Sequence, residues 1–140
     1  MKTYYTNSAE ETKNLAAKIA NELSGGEVIA MKGDLGAGKT CFVSGLADAL
    51  GFVGEVTSPT FAIINEYLGG RLAVYHFDMY RVTSWEDLYS TGYFEYLEAG
   101  GVVAVEWSEN IEAALPDNYI TVEILKNADG GRTINVEGMK

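Results

Sequence analysis

The stretch Val28-Ile29-Ala30-Met31-Lys32-Gly33-Asp34-Leu35-Gly36-Ala37-Gly38-Lys39-Thr40 decides the fold. Its apolar opening, Val28 to Met31, reads as a buried strand, and Phe42, Leu46, Ala49 and Leu50 recur behind it at helical spacing. Between them stands G-x-x-x-x-G-K-T, in the strand-to-helix setting that a phosphate-binding loop requires. Glycines let such a backbone bend tightly and turn its N–H groups toward an anion, and the following helix adds the positive end of its dipole. In that arrangement Lys39 reaches the β- and γ-phosphates, and the Thr40 hydroxyl ligates Mg²⁺. The bland alternative, a glycine-rich turn that binds nothing, leaves the flanking strand and helix unexplained. The expected ligand is a nucleoside triphosphate.

Composition narrows the rest. With 140 residues, 47% of them hydrophobic, the chain is expected to form one α/β domain, 1–140, with a proper core. No apolar run approaches the ~18 residues of a membrane span, and Met1-Lys2-Thr3-Tyr4-Tyr5 does not read as a signal peptide, so no membrane partner is expected. Cys41 is the single cysteine, which rules out an internal disulfide and a cysteine-based zinc site and points to the cytoplasm. On the first turn of its helix it reads as a small core residue in preference to a thiol activated by the dipole. The net charge of −10, with arginine only at positions 71, 81 and 132, argues against strong direct nucleic-acid binding and fits a basic protein partner better.

Ser8-Ala9-Glu10-Glu11 has the pattern of a capping box, and Leu15, Ile19 and Leu23 with Ala16 and Ala20 form an apolar face behind it. The expectation is an amphipathic helix from Ala9 to Leu23, closed by Gly25-Gly26. After the P-loop helix, alternating segments Ala62–Tyr67 and Leu72–Phe77 flank Leu68-Gly69-Gly70-Arg71 and predict a β-hairpin, so the sheet is expected to be mixed. Ser84-Trp85-Glu86-Asp87 opens a short helix, and Val102–Val105 is a second apolar strand suited to the sheet centre. Pro116 ends a short helical piece after Asn110, and Tyr119–Leu125 with Thr133–Val136 predict a closing hairpin. The architecture expected is a P-loop NTPase-like three-layer domain with a mixed, partly antiparallel central sheet.

A P-loop needs an acid at a strand end for Mg²⁺ and a group to position the attacking water. Asp78, after the strand Leu72–Phe77, and Glu106, after Val102–Val105, both fit, projecting on the side where the P-loop lies. The bland readings are a strand-end cap for Asp78 and a solvated charge for Glu106; Glu109 is expected in solvent. Thr57-Ser58-Pro59-Thr60-Phe61 suits a switch loop, although a plain polar turn reads equally well. His76 is expected as a packed core histidine ahead of a general base. Arg81 reads as a charge-stabilising group, a partner contact or a surface ion pair. Trp85 and Trp107 could stack on a base or a partner, with burial in the core the default.

Gly33–Thr40, Ser58-Pro59-Thr60-Phe61, His76-Phe77-Asp78-Met79-Tyr80-Arg81 and Glu106-Trp107 together closely resemble one family, TsaE (YjeE-type), the P-loop ATPases of bacterial tRNA threonylcarbamoyladenosine synthesis. Met79 and Cys41 stand where that family commonly has other residues. The resemblance implies ATP and Mg²⁺ as cofactors, with Thr40 and Glu106 holding the metal, Asp78 near it and Lys39 on phosphate; Lys39, Asp78 and Glu106 form the catalytic set. It implies nucleotide contacts from Gly33, Asp34, Leu35, Gly36, Ala37, Gly38, Lys39, Thr40 and Cys41, with Ala9 and Arg132 toward the adenine. Ser58, Pro59, Thr60 and Phe61 would be the switch loop facing the partner, the TsaB–TsaD pair, with tRNA involved indirectly; Thr57 and Arg81 are grouped with them as switch and partner candidates, Arg81 facing nucleotide, partner or solvent. Hydrolysis of ATP would then reset that complex for further turnovers in N6-threonylcarbamoyladenosine synthesis.

A small-molecule or nucleotide kinase shares the P-loop, but usually needs a substrate-binding insertion and several arginines along the phosphoryl path. A GTPase is disfavoured because Asn-Lys-x-Asp is missing from the sequence. A module that binds without hydrolysing leaves the combination of Lys39, Thr40, Asp78 and Glu106 without a purpose.

Overall fold

A computed structural model of the chain describes residues 1–34, 37–59 and 63–139. In chain order the elements are β1 (Lys2–Thr6), α1 (Ala9–Ala20), β2 (Val28–Lys32), α2 (Lys39–Ala49), β3 (Ile64–Tyr67), β4 (Val74–Asp78), α3 (Trp85–Ser90), α4 (Tyr93–Leu97), β5 (Val102–Glu106), a 3₁₀ segment (Ser108–Ala114), β6 (Ile120–Lys126) and β7 (Arg132–Glu137). The strands form a seven-stranded sheet in the order β1-β7-β6-β2-β5-β4-β3. Its centre, β6-β2-β5-β4, is parallel, and the edges are antiparallel through β6–β7, β7–β1 and β4–β3. Both predicted hairpins and the mixed sheet are present.

Strand alternation sorts side chains between two layers. Ile29, Met31, Val74, Val102, Ala104, Val122 and Ile124 face α1 and α2, where they meet Ile19, Phe42 and Leu46. Tyr75, Phe77, Val103 and Val105 face the opposite way, toward Leu88 of α3, Tyr93 of α4 and Ile111 of the 3₁₀ segment. By the same alternation His76, Asp78 and Glu106 lie on the α1–α2 side. On the other side, aromatic rings close the layer: Phe77 meets Tyr93 and Tyr96 edge-on, with centroids 5.8 and 5.5 Å apart. Burial pushes the Tyr93 hydroxyl pKa up to about 12, and this hydroxyl donates to the Ala114 carbonyl at 3.1 Å.

Several expectations are corrected. Helix α1 stops at Ala20, not Leu23. At and just beyond its end the Arg71 guanidinium donates to Ala20 O at 2.9 Å and to Leu23 O at 3.0 Å, a favourable place for a cation. Gly25 and Gly26 belong instead to the turn before β2, where the Glu27 carboxylate accepts from the backbone of Ser24 and Gly25. Strand β4 runs from Val74 to Asp78, later than the predicted Leu72–Phe77. Strand β3 starts at Ile64, and Ala62, the predicted start, lies outside the described residues. Strand β1 and helix α4 were not anticipated from sequence. Trp85 is 55% exposed, because the short α3 turns only Leu88 inward. Among the described residues no helix is long and apolar enough to cross a membrane.

Candidate functional site

The site is built where β2 ends. Gly33 adopts a φ of +143°, and a Cβ there would come within 2.5 Å of the Ile124 carbonyl of β6. Only glycine lets the chain leave the strand so close to its neighbour. Helix α2 then starts at Lys39 with Gly38 as N-cap, with no side-chain cap and no acid in its first turn. Helices α1 and α3 are capped by Ser8 and Ser84 and carry acids there. The first N–H groups of α2 are therefore not met by a capping side chain, the situation in which a helix end accepts an anion.

Lys39 is the first residue of α2 and is only 5% exposed. Its Nζ lies 3.9 Å from Glu106 Oε1 and 5.0 Å from the centre of the Trp107 ring. Glu106, the last residue of β5, is equally buried and sits opposite Asp78 in the parallel register of β4 and β5. Asp78 is also buried and accepts from the Tyr80 backbone N–H at 2.9 Å. His76 is fully buried and meets the second oxygen of Glu106 through Nε2 at 2.5 Å. A carboxylate only accepts, so Nε2 carries the hydrogen. The other ring nitrogen lies 3.1 Å from the Tyr67 hydroxyl. The sequence reading of His76 as a core residue is right about burial, but this histidine is wired to the site acid. Glu106 is no solvated charge, and Glu109 is exposed as expected.

Ionisable groups this deeply buried cost stability unless paired, and clusters of them mark functional sites. Backbone strain marks the same place. Among the described residues the non-glycine positive φ values are 69° at Ile63 and 58° at Trp107. Ile63 O accepts from Asp78 N at 2.8 Å, and Trp107 follows Glu106, so each strained residue abuts one acid. Thr40, half-buried, comes next after Lys39 on α2.

A second set of predicted residues meets beside the start of α2. Ala9, Ala37, Gly38, Cys41 and Arg132 line a cavity of about 150 Å³. Arg132 Nε donates to Ala37 O at 2.7 Å, tying β7 to the loop before α2. Cys41 is half-buried and donates to Ala9 O at 3.5 Å. Burial raises its thiol pKa against the opposing pull of Lys13 and Arg132, the direction opposite to activation by the helix dipole. Asp34 is exposed at the start of the loop. Leu35, Gly36, Thr60 and Phe61 lie outside the described residues. Of the predicted switch and partner residues, Thr57, Ser58 and Arg81 are exposed and Pro59 is buried. Trp107 is half-buried and packs on Tyr80, with ring centroids 4.9 Å apart.

A glycine loop joining a central parallel strand to a helix that begins with a buried lysine, beside two acids at neighbouring strand ends, defines a P-loop-type α/β protein. The comparisons with known proteins are more specific. Residues 6–134 match the family of threonylcarbamoyl adenosine biosynthesis protein TsaE, and the chain belongs to that family. It is 42% identical over 129 residues to the tRNA threonylcarbamoyladenosine biosynthesis protein TsaE of Treponema pallidum, covering 92% of this chain and 95% of that one. The protein of the same name from Bacillus subtilis is 44% identical over 130 residues, covering 92% of this chain and 80% of that one. A crystal structure of Bacillus subtilis YdiB superposes with a TM-score of 0.85 at 37% identity, covering 99% of this chain and 86% of that one.

Proposed function

We propose that this protein binds ATP with Mg²⁺ at the loop before α2 and hydrolyses it slowly, coupling that cycle to turnover of a TsaB–TsaD complex in tRNA N6-threonylcarbamoyladenosine synthesis. Membership of the TsaE family supports the pathway. The observation that carries the chemistry is the burial of Lys39, Asp78 and Glu106 together at the carboxyl ends of β4 and β5 and the start of α2.

The donor set suits a hard cation, since the Thr40 hydroxyl and the carboxylates of Asp78 and Glu106 all offer oxygen. Mg²⁺, when bound, would neutralise charge on the phosphate oxygens. The chain's own residues do the rest. Lys39 supplies positive charge to phosphate, and the N–H groups at the start of α2 supply donors. His76 holds Glu106 by one oxygen, and the Tyr80 N–H holds Asp78. Both carboxylates are thus oriented before any ligand arrives, which is how such sites avoid reorganisation during reaction. The cavity bordered by Ala9, Cys41 and Arg132 offers room for the base.

Slow hydrolysis by the chain alone follows from how its arginines are used. Arg71 and Arg132 are committed to backbone carbonyls, and Arg81 lies exposed on the loop after β4. An arginine supplied in trans is worth about 10³–10⁵ in rate in related chemistry. The test is steady-state ATP hydrolysis with TsaB, TsaD and tRNA added in turn. A low basal rate that changes on adding TsaB–TsaD is expected; fast turnover indifferent to them refutes the coupling.

A further inference from the structure

We infer that His76 is a positioning residue which, with Tyr67, links the carboxylate of Glu106 to the segment Thr57–Pro59, so that events at the acid are felt in that loop. The inference rests on the reading of Glu106 as part of the nucleotide site.

The chain of bonds is continuous. Glu106 Oε2 meets His76 Nε2 at 2.5 Å, and His76 Nδ1 meets the Tyr67 hydroxyl at 3.1 Å. That hydroxyl donates to the Thr57 carbonyl at 2.9 Å. Asn65 braces the same residue, its side-chain N–H lying 3.1 Å from Thr57 O and 3.3 Å from Thr57 Oγ1. The surroundings are apolar: Tyr67 packs on Phe52 with ring centroids 5.1 Å apart, and its ring belongs to the α1–α2 core. Solvent cannot substitute for a missing partner at the buried His76 contacts, so those polar atoms depend on their neighbours, while the Thr57 end of the link is exposed.

The Nε2 hydrogen goes to the acceptor-only carboxylate of Glu106, and the single Tyr67 hydroxyl meets both His76 Nδ1 and Thr57 O. When Glu106 turns an oxygen to another group, the imidazole follows, and the Tyr67 hydroxyl it contacts moves its hold on the loop. A purely structural filler would not need this. An apolar side chain of similar volume would occupy the position of His76 without burying polar atoms.

The test is backbone amide NMR on the full chain titrated with Mg·ATP, comparing wild type with Tyr67→Phe. Gly38 and Lys39 report occupancy of the loop; Thr57 and Ser58 report transmission. In wild type all four signals are expected to move. In Tyr67→Phe, Gly38 and Lys39 keep their full shift and the ATP affinity stays within about threefold, while the response at Thr57 and Ser58 is lost. An unchanged Thr57 and Ser58 response in Tyr67→Phe overturns the inference, as does a wild type in which only Gly38 and Lys39 move. If Gly38 and Lys39 fail to move in wild type, the nucleotide reading itself falls, and the link with it. His76→Gln keeps a donor for Glu106 but gives up the Tyr67 contact, and is expected to lose the same loop response. Should that variant not fold, Tyr67→Phe still decides, since it deletes one oxygen and keeps the ring against Phe52.

Discussion

Helices α1 and α2 lie side by side on the same face of the sheet, yet they begin in opposite ways. At α1 the Ser8 hydroxyl accepts from Glu11 N at 3.1 Å, the Glu11 carboxylate reaches back to Asn7 N at 3.1 Å, and Glu10 and Glu11 place negative charge on the dipole. That end is satisfied internally. At α2 the cap is Gly38, and the first turn carries Lys39 where α1 has acids. Charge and capping there are both the reverse of what stabilises a helix by itself. Helix α1 is thus satisfied internally, whereas α2 leaves its first N–H groups without a capping side chain, open to an anion. The acids that accompany it, Asp78 and Glu106, come from neighbouring strands and not from the helix.

The comparison breaks first at Lys39. Lys39→Met keeps most of the stem against Trp107 and removes the charge. Turnover is expected to fall by about 10²–10³-fold, the usual loss for one preorganised electrostatic group, as measured by phosphate release. A second test addresses the contact between the two helices. A Cβ on Gly45 would sit 2.7 Å from Lys13 Cα and 2.9 Å from the Ala16 Cβ, so Gly45→Ala should cost about 1–3 kcal/mol in chemical denaturation by overpacking. The helix preference of alanine offsets part of that. A variant as stable as wild type would show that the helices can move apart freely. A third contrasts the caps directly: Ser8→Ala should lose about 1 kcal/mol of stability with the ATP affinity of the folded protein intact. A large loss of affinity would mean that the start of α1 matters to the site beyond its cap.

Much of this contrast is legible in the sequence, and some is not. Ser8-x-x-Glu11 and Gly33 to Thr40 are local patterns, and local patterns announce helix starts. The acids Asp78 and Glu106 are legible because each follows an apolar strand. His76 is harder. It lies within the buried run Val74–Asp78, and its partners Tyr67 and Glu106 are 9 and 30 residues away, brought near by sheet register alone. Strand β1 escapes because four of its five residues avoid full burial, and its identity comes from pairing with β7. Trp85 misleads because burial is the default for its type, while the short α3 has too little buried face to hide it. The end of α1 is met by Arg71, 51 residues away in sequence, which no window around Ala20 could contain.

The smallest effect expected concerns the third helix start. Thr83 donates to Asp87 through its backbone N–H and its hydroxyl, and these bonds hold the exposed Asp87 carboxyl below its ordinary pKa. A depressed folded-state pKa contributes stability that is present above the unfolded value of about 3.9 and is lost as pH falls through the folded value. The start of α3 should therefore loosen below about pH 4, seen as faster amide exchange around Asp87. Asp87→Asn should flatten that dependence.

If the open start of α2 and the buried pair Lys39–Glu106 form a site for ATP with Mg²⁺, calorimetric titration of ATP, with and without Mg²⁺, into wild type and Glu106→Gln will show it. Wild type is expected to bind ATP more tightly with Mg²⁺ than without it, and Glu106→Gln to lose most of that strengthening. No binding by wild type, or equal Mg²⁺ dependence in the two proteins, would contradict it.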